Sequence, residues 1–306
     1  MASLKDLRRR ISSVKNTQQI TKAMKMVAAS KLNRAQQRIT SLRPYTEKLQ
    51  GLCDQVVENI AASEPNEKTL VNKLQSYHPL LQANKSNKIA LIVVSADRGL
   101  CGSYNTNVCK FSYNYYKELV ENSEVEVELF FYGKKAYNFF KKEEVDGTLI
   151  TDFWTGELTT DKSQSEAQKF ITDYIAGKYK EIKFVYTQFK SALTQNVVAE
   201  KLLPLSLDVG SEEKEIKPLP TKIIFEPNKI DILKDLIEQR IRLQFYKVFA
   251  DSFASEMGSK MTSMDNATRN AGEMISKLTL VMNRTRQAAI TKELMEIVGG
   301  AEAIKG

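Results

Sequence analysis

Residues 4–32 read LKDLRRRISSVKNTQQITKAMKMVAASKL, and the spacing of their apolar side chains decides how the chain is built. Counting from Leu4 in alternating steps of three and four reaches seventeen positions by Ile60, and thirteen of them are apolar, alanine or cysteine. A heptad stripe sustained this long predicts a coiled-coil helix. The exceptions Gln18, Thr21 and Lys25 fall together, and beside them runs a second stripe of Ile20, Met24 and Val27. The expectation is that the helix changes the side it presents there. Pro44 is the one internal breaker and predicts a kink or a local interruption.

The other end of the chain is built alike. Pro227 and Asn228 set a helix start, no proline follows, and Gly258 and Gly272 are the only glycines before Gly299 and Gly300. Ile237, Ile241, Phe245, Phe249, Phe253, Met257 and Met261 recur every four residues. An α-helix repeats every ~3.6 residues, so this stripe creeps around the axis by about 40° per step. One straight partner cannot cover it, so the helix must pass from one set of neighbours to another. At roughly 1.5 Å per residue the two helices would span about 80 and 105 Å, longer than a compact domain of this size. They must pair with each other or with other chains.

Between them the period changes. KIALIVVSA (88–96), VEVELFFYG (125–133) and EIKFVYTQF (181–189) are β-branched and aromatic runs, alternating with helix-like segments at 105–121, 134–142 and 162–177. This is α/β order with parallel pairing. The expected organisation is an N-terminal helix over 1–60, a linker at 61–87, an α/β domain over 88–205, a linker at 206–227 and a C-terminal helix over 228–306.

Net charge is +8 over 306 residues, but residues 1–43 alone carry eleven Lys or Arg against one acid, Asp6. Such a segment favours an acidic partner. A DNA arm fits poorly, because the cations surround the helix and no aromatic lies among them before Tyr45. No run is long and apolar enough to span a membrane. Cys53, Cys101 and Cys109 form no CxxC pair, which points to a reducing compartment and buried thiols. His78, the only histidine, reads as a free surface imidazole, leaving no basis for His catalysis or a Cys/His metal site.

The one motif that invites a catalytic or cofactor reading is VVSADRGLCGSYN, a strand, a turn and a helix start. No two glycines in the chain lie two apart, as a dinucleotide fingerprint needs, or five apart, as a Walker A loop needs. Asp97, Arg98, Gly99 and Gly102 therefore read as a structural turn that fixes how the helix leaves the strand. A coiled-coil scaffold with a nucleotide-binding α/β head is the alternative, and it would need the phosphate loop that is missing.

Several stretches carry a resemblance across nearly the whole chain. NTQQITKAMKMVAASKLNRAQ, VVSADRGLCGSYN, KLLPL, FEP and MTSMDNATRNAGEMISKLTLVMNRTRQAAITKELMEIVGGA resemble, in order, the landmarks of the gamma subunits of F-type ATP synthases. That resemblance implies a rotor shaft: an antiparallel, left-handed coiled coil of the two terminal helices plus a central Rossmann-like α/β domain. It implies alpha and beta subunits as a surrounding ring, the epsilon and delta subunits and the membrane c ring as further partners, and neither nucleic acid nor direct nucleotide binding. No catalytic, metal or cofactor residue is expected. By resemblance, Met24, Lys22, Val27, Arg286, Gln287 and Thr291 would contact the alpha/beta ring, the last three as a catch on beta. Phe225 and Glu226 would lie near the c ring and epsilon. Ser103 and Lys25 depart from the family's usual residues, and the dithiol insertion of chloroplast relatives is absent. The implied location is peripheral, at the cytoplasmic face of a bacterial inner membrane or, alternatively, the matrix face of the mitochondrial one.

Overall fold

The computed structural model describes residues 3–61, 74–121, 125–155, 158–205, 226 and 228–305. By internal contacts it divides into two units, residues 31–259 and residues 1–30 with 260–306. The division falls inside two long helices, α1 (Leu4–Ala61) and, numbered last in the chain, α5 (Lys229–Lys305). α1 is helical straight through Pro44, so the expected interruption does not occur.

Within residues 31–259 lies a sheet of β1 (Lys88–Val94), β2 (Glu126–Tyr132), β3 (Thr148–Leu149), β4 (Glu181–Phe189) and β5 (Gln195–Leu203), in the order β3-β2-β1-β4-β5. All neighbours pair in parallel except β4 and β5, which form an antiparallel pair. The three strands legible as apolar runs are β1, β2 and β4. β3, of two residues, and the edge strand β5 were not legible, since β5 is half-buried along most of its length and alternates only weakly.

Alternation along each strand sorts side chains between two cores. From β1, Ala90, Ile92 and Val94 enter one core and Leu91 and Val93 the other; β4 sends Phe184 and Tyr186 one way and Val185 the other. α2 (Tyr104–Glu121) and α3 (Lys134–Lys142) cover the second core, whereas α4 (Thr160–Ile175) and the adjoining parts of α1 and α5 cover the first. Being sandwiched on both faces explains why β1 is apolar almost throughout. Phe245 and Phe249 of α5 are wholly buried on this sheet, within ring contact of Phe184 and, for Phe249, of Tyr132 and Phe153. Each contributes roughly 1.5–3 kcal/mol by burial alone.

Residues 62–73 and 206–225 of the two expected linkers lie outside the described residues, but Leu74, Leu80 and Leu81 are buried in the first core. His78 is buried with them rather than free at the surface. Its Nδ1 accepts the Leu80 N–H at 3.1 Å, capping the short turn Pro79–Leu81, and its Nε2 lies 4.0 Å from Glu238. Burial lowers its pKa, so it caps as the neutral imidazole.

In the other unit, α1 and α5 pair antiparallel: Gln18 bonds Thr268, while Lys25, further along α1, meets the earlier Asp265. All seventeen heptad positions of α1, Gln18, Thr21 and Lys25 included, are buried or half-buried. The seam therefore does not move to another side of the helix, contrary to the expectation. On α5 the four-residue stripe gives way to a heptad seam through Met257, Met261, Met264, Thr268, Ala271 and Ile275, every one at least half-buried. In its own unit each part of α5 has a neighbour: Phe245 and Phe249 lie on the sheet, and Asp265 and Thr268 meet α1.

Candidate functional site

Two places could carry function: the turn after β1, and the faces of the helix pair that no other element covers among the described residues. In the first, Ser95 donates its N–H to Tyr132 O at 2.9 Å and its hydroxyl to Gly133 O at 3.2 Å, and accepts the Ala136 N–H at 3.1 Å. Asp97 Oδ1 accepts the Lys134 N–H at 3.0 Å, so this carboxylate caps α3 rather than the helix that follows it in sequence. Asn105 instead ties α2 down, accepting the Ala96 N–H at 3.1 Å and donating to Arg98 O at 3.2 Å. Gly102, at φ +55°, supplies the left-handed residue that the turn requires; Gly99 has no close neighbour that would exclude a side chain. Leu100 also takes a positive φ, +66°, and is 62% exposed.

In doubly wound sheets ligands sit where the strand order reverses, here between the carboxyl ends of β1 and β4. That place is taken by the chain itself. Tyr104 is buried beside Thr187 of β4 and Ser252 and Glu256 of α5, and burial, with Glu256 adding to it, pushes its phenol well above the ordinary value. A nucleotide would have to displace both Tyr104 and α5.

On the helix pair, Ile20 and Val27 stand 60% and 58% exposed, with Met24 half-buried between them at the flank of the seam. The second apolar stripe is real, and α5 does not cover it. Lys22 is exposed, whereas Lys25 meets Asp265 at 2.6 Å. Arg286, Gln287 and Thr291 lie on the stretch 286–301 of α5, which is exposed at every residue and carries Ile290, Leu294, Met295, Ile297 and Val298 uncovered. The Thr291 hydroxyl bonds Gln287 O at 3.0 Å, leaving Arg286 and the Gln287 amide turned outward. Glu226 is exposed; Phe225 lies outside the described residues.

A family model described as ATP synthase matches residues 3–304. The chain is 42% identical over 307 residues to the ATP synthase gamma chain of Geotalea uraniireducens (strain Rf4) and 40% over 310 residues to that of Bdellovibrio bacteriovorus, each match covering 100% of both proteins. The chain belongs to the ATP synthase gamma-chain family. Like other gamma chains it is a non-catalytic subunit of an F-type ATP synthase. Among solved structures, a chain of the Euglena gracilis mitochondrial ATP synthase, described as OSCP/F1/c-ring in rotational state 3, matches with a TM-score of 0.62 at 19% identity, covering 98% of this chain and 94% of that one. One from the central stalk and c ring of the Tetrahymena thermophila enzyme gives 0.54 at 20% identity, covering 81% and 99%. These two bear on the fold of the gamma chain.

Sequence reasoning missed Tyr104 as the plug of the crevice and Asp97 as the cap of α3. Neither carries a signal, because each acts on a partner brought up by the sheet. Gln18 and Thr21 fall on the heptad count as exceptions where the stripe is expected to move away, whereas the structure keeps both in the seam, bonded to Thr268.

Proposed function

We propose that this gamma chain works as the turning central stalk of its synthase, coupling rotation of the membrane c ring to ATP synthesis and hydrolysis at the beta subunits. The observation that carries this reading is the uncovered apolar stripe of Ile20 and Val27 beside a fully occupied seam. Dispersion contacts are worth only about 0.1–0.2 kcal/mol per atom pair and are indifferent to orientation, so a sleeve can slide over such a face with shallow barriers. Directional charged hydrogen bonds hold one angle, and the exposed Arg286 and Gln287, with Thr291, suit the part of a catch on beta. The excess of cations at residues 1–43, Lys22 among them, suits acidic loops on the surrounding ring. Met24 sits where packing would govern coupling. Phe225 and Glu226 belong to the foot, near the c ring and epsilon. The asymmetric shaft presents a different face to each beta subunit in turn and so changes its nucleotide affinity at a distance.

In this reading the domain borders of the shaft and foot are those expected from the sequence, and the delta subunit joins the partners. The protein is peripheral, on the cytoplasmic face of a bacterial inner membrane as its bacterial relatives suggest, with the mitochondrial matrix face as the alternative. Among the described residues no helix is long and apolar enough to cross a membrane.

The test fixes an alpha–beta ring to glass with this chain inside it and a bead on Lys110→Cys, an exposed position next to the buried Cys109. Stepwise, one-directional rotation on adding ATP is expected. A stable complex that never turns overturns the proposal.

A further inference from the structure

Three successive seam positions of α1 are polar, and each has its partner on α5. Gln18 Nε2 donates to Thr268 O at 3.3 Å, the Thr21 and Thr268 hydroxyls lie 2.8 Å apart, and Lys25 Nζ lies 2.6 Å from Asp265. Gly272 lies opposite Gln18, and a Cβ added there would come within 3.0 Å of the amide nitrogen, so the side chain fits closely against the glycine. The hydroxyl protons are accounted for as well. Thr268 also reaches Met264 O at 2.7 Å and Thr21 reaches Gln18 O at 3.0 Å, so one hydroxyl can donate across the seam while the other donates to its own helix.

The rest of the seam is apolar, through Leu7, Ile11 and Val14 on α1 and Met264, Ala271 and Ile275 on α5. Apolar heptads meet nearly as well after a slip of one heptad as before it, whereas a polar position fixes register at some cost in stability. A one-heptad slip would set Thr21 against Ile275 or Met261 in place of Thr268, and Lys25 against Gly272 or Gly258 in place of Asp265. The hydroxyl and the ammonium would lose their partners across the seam, while the Gln18 amide, bonded to a backbone carbonyl, would lose least. We propose that Gln18, Thr21 and Lys25, together with Thr268, Gly272 and Asp265, form a register lock that fixes the axial alignment of the two helices. The lock keeps the bare end of α5 in step with the Ile20–Val27 stripe. Slipping one heptad would move one past the other by about 10 Å.

Counting one heptad outward from the Thr21–Thr268 contact puts Val14 opposite Ile275, and a slipped pair would bring Val14 opposite Met282. Disulfide formation in the full-length chain therefore reads the register. Val14→Cys with Ile275→Cys should close, and Val14→Cys with Met282→Cys should not; the native thiols are buried. Adding the near-isosteric set Gln18→Met, Thr21→Val and Thr268→Val should let the second pair close to at least about a tenth of the yield of the first. Thr21→Val alone, a milder change to the fold that removes the hydroxyl pair across the seam, should give the same slipped product at lower yield. If both variants close only the native pair, as the parent does, the register is set elsewhere and the lock is wrong.

Discussion

An alanine at residue 133 would drive its Cβ onto the Ser95 carbonyl oxygen, and the φ of +132° there is one that L side chains rarely adopt. The approach is close because Ser95 uses its hydroxyl to bridge Gly133 O and the Ala136 N–H at the junction of β1, β2 and α3. Gly133→Ala is therefore expected to cost about 3 kcal/mol or more, read as a fall in the denaturation midpoint. Asp251 gives a pH-dependent case. Burial, opposed by Lys247 and assisted by Glu200, raises its pKa from the ordinary 3.8 to about 6. The folded chain thus holds this proton more tightly than the unfolded one, so the contribution is full below about pH 4 and is lost as pH rises through about 6. About two units of difference correspond to at most roughly 3 kcal/mol. Asp251→Asn should raise the melting temperature by a few degrees at pH 8 and leave it nearly unchanged at pH 4. Equal shifts at both pH values would contradict the assignment.

At the scale of elements, α5 is held by a cluster of rings. Phe249 lies 4.3–6.4 Å between centroids from Phe153, Tyr132, Phe245, Trp154 and Phe184. Phe249→Ala should cost about 3–5 kcal/mol, since the rings around it cannot all collapse into the cavity. Trp154, the only tryptophan, reports on the same place, and its emission should shift to the red in the variant. An unshifted spectrum would mean the cluster closes over the gap. Legibility differed between elements for a physical reason. β1 was legible because helices cover both of its faces, so nearly every residue is apolar, and α1 because a heptad repeat is written along one chain segment. β5 and β3 escaped because an edge strand and a two-residue strand owe their conformation to the neighbour they bond, and β5 bonds β4. Pro44 does not interrupt α1, because loss of one backbone donor on an exposed face does not end a helix packed along its other side.

At the scale of the whole molecule, residues 286–301 are exposed at every position and none belongs to the buried core. Ending the chain after Thr285 should leave its melting temperature within a few degrees of the parent, while torque or coupling in the assembled synthase falls. A large loss of stability would show that this end packs on the chain after all. Met24→Lys sets a third cation beside Lys22 and Lys25 at the edge of the apolar stripe. Assembly is expected to survive and protons pumped per ATP to drop; an unchanged ratio would remove Met24 from the bearing.

The sequence by itself determined that the ends are long helices with apolar stripes, that the middle is α/β, and that positive charge gathers at one end, because periodicity and composition are local properties. It also excluded a phosphate loop through glycine spacing. Only the tertiary structure decided which of the two stripes on α1 is covered, that Tyr104 fills the crevice at the strand reversal, and that Asp97 caps a helix 37 residues away. Those outcomes rest on pairs such as Thr21 and Thr268, 247 residues apart, which meet only once the fold has brought them together.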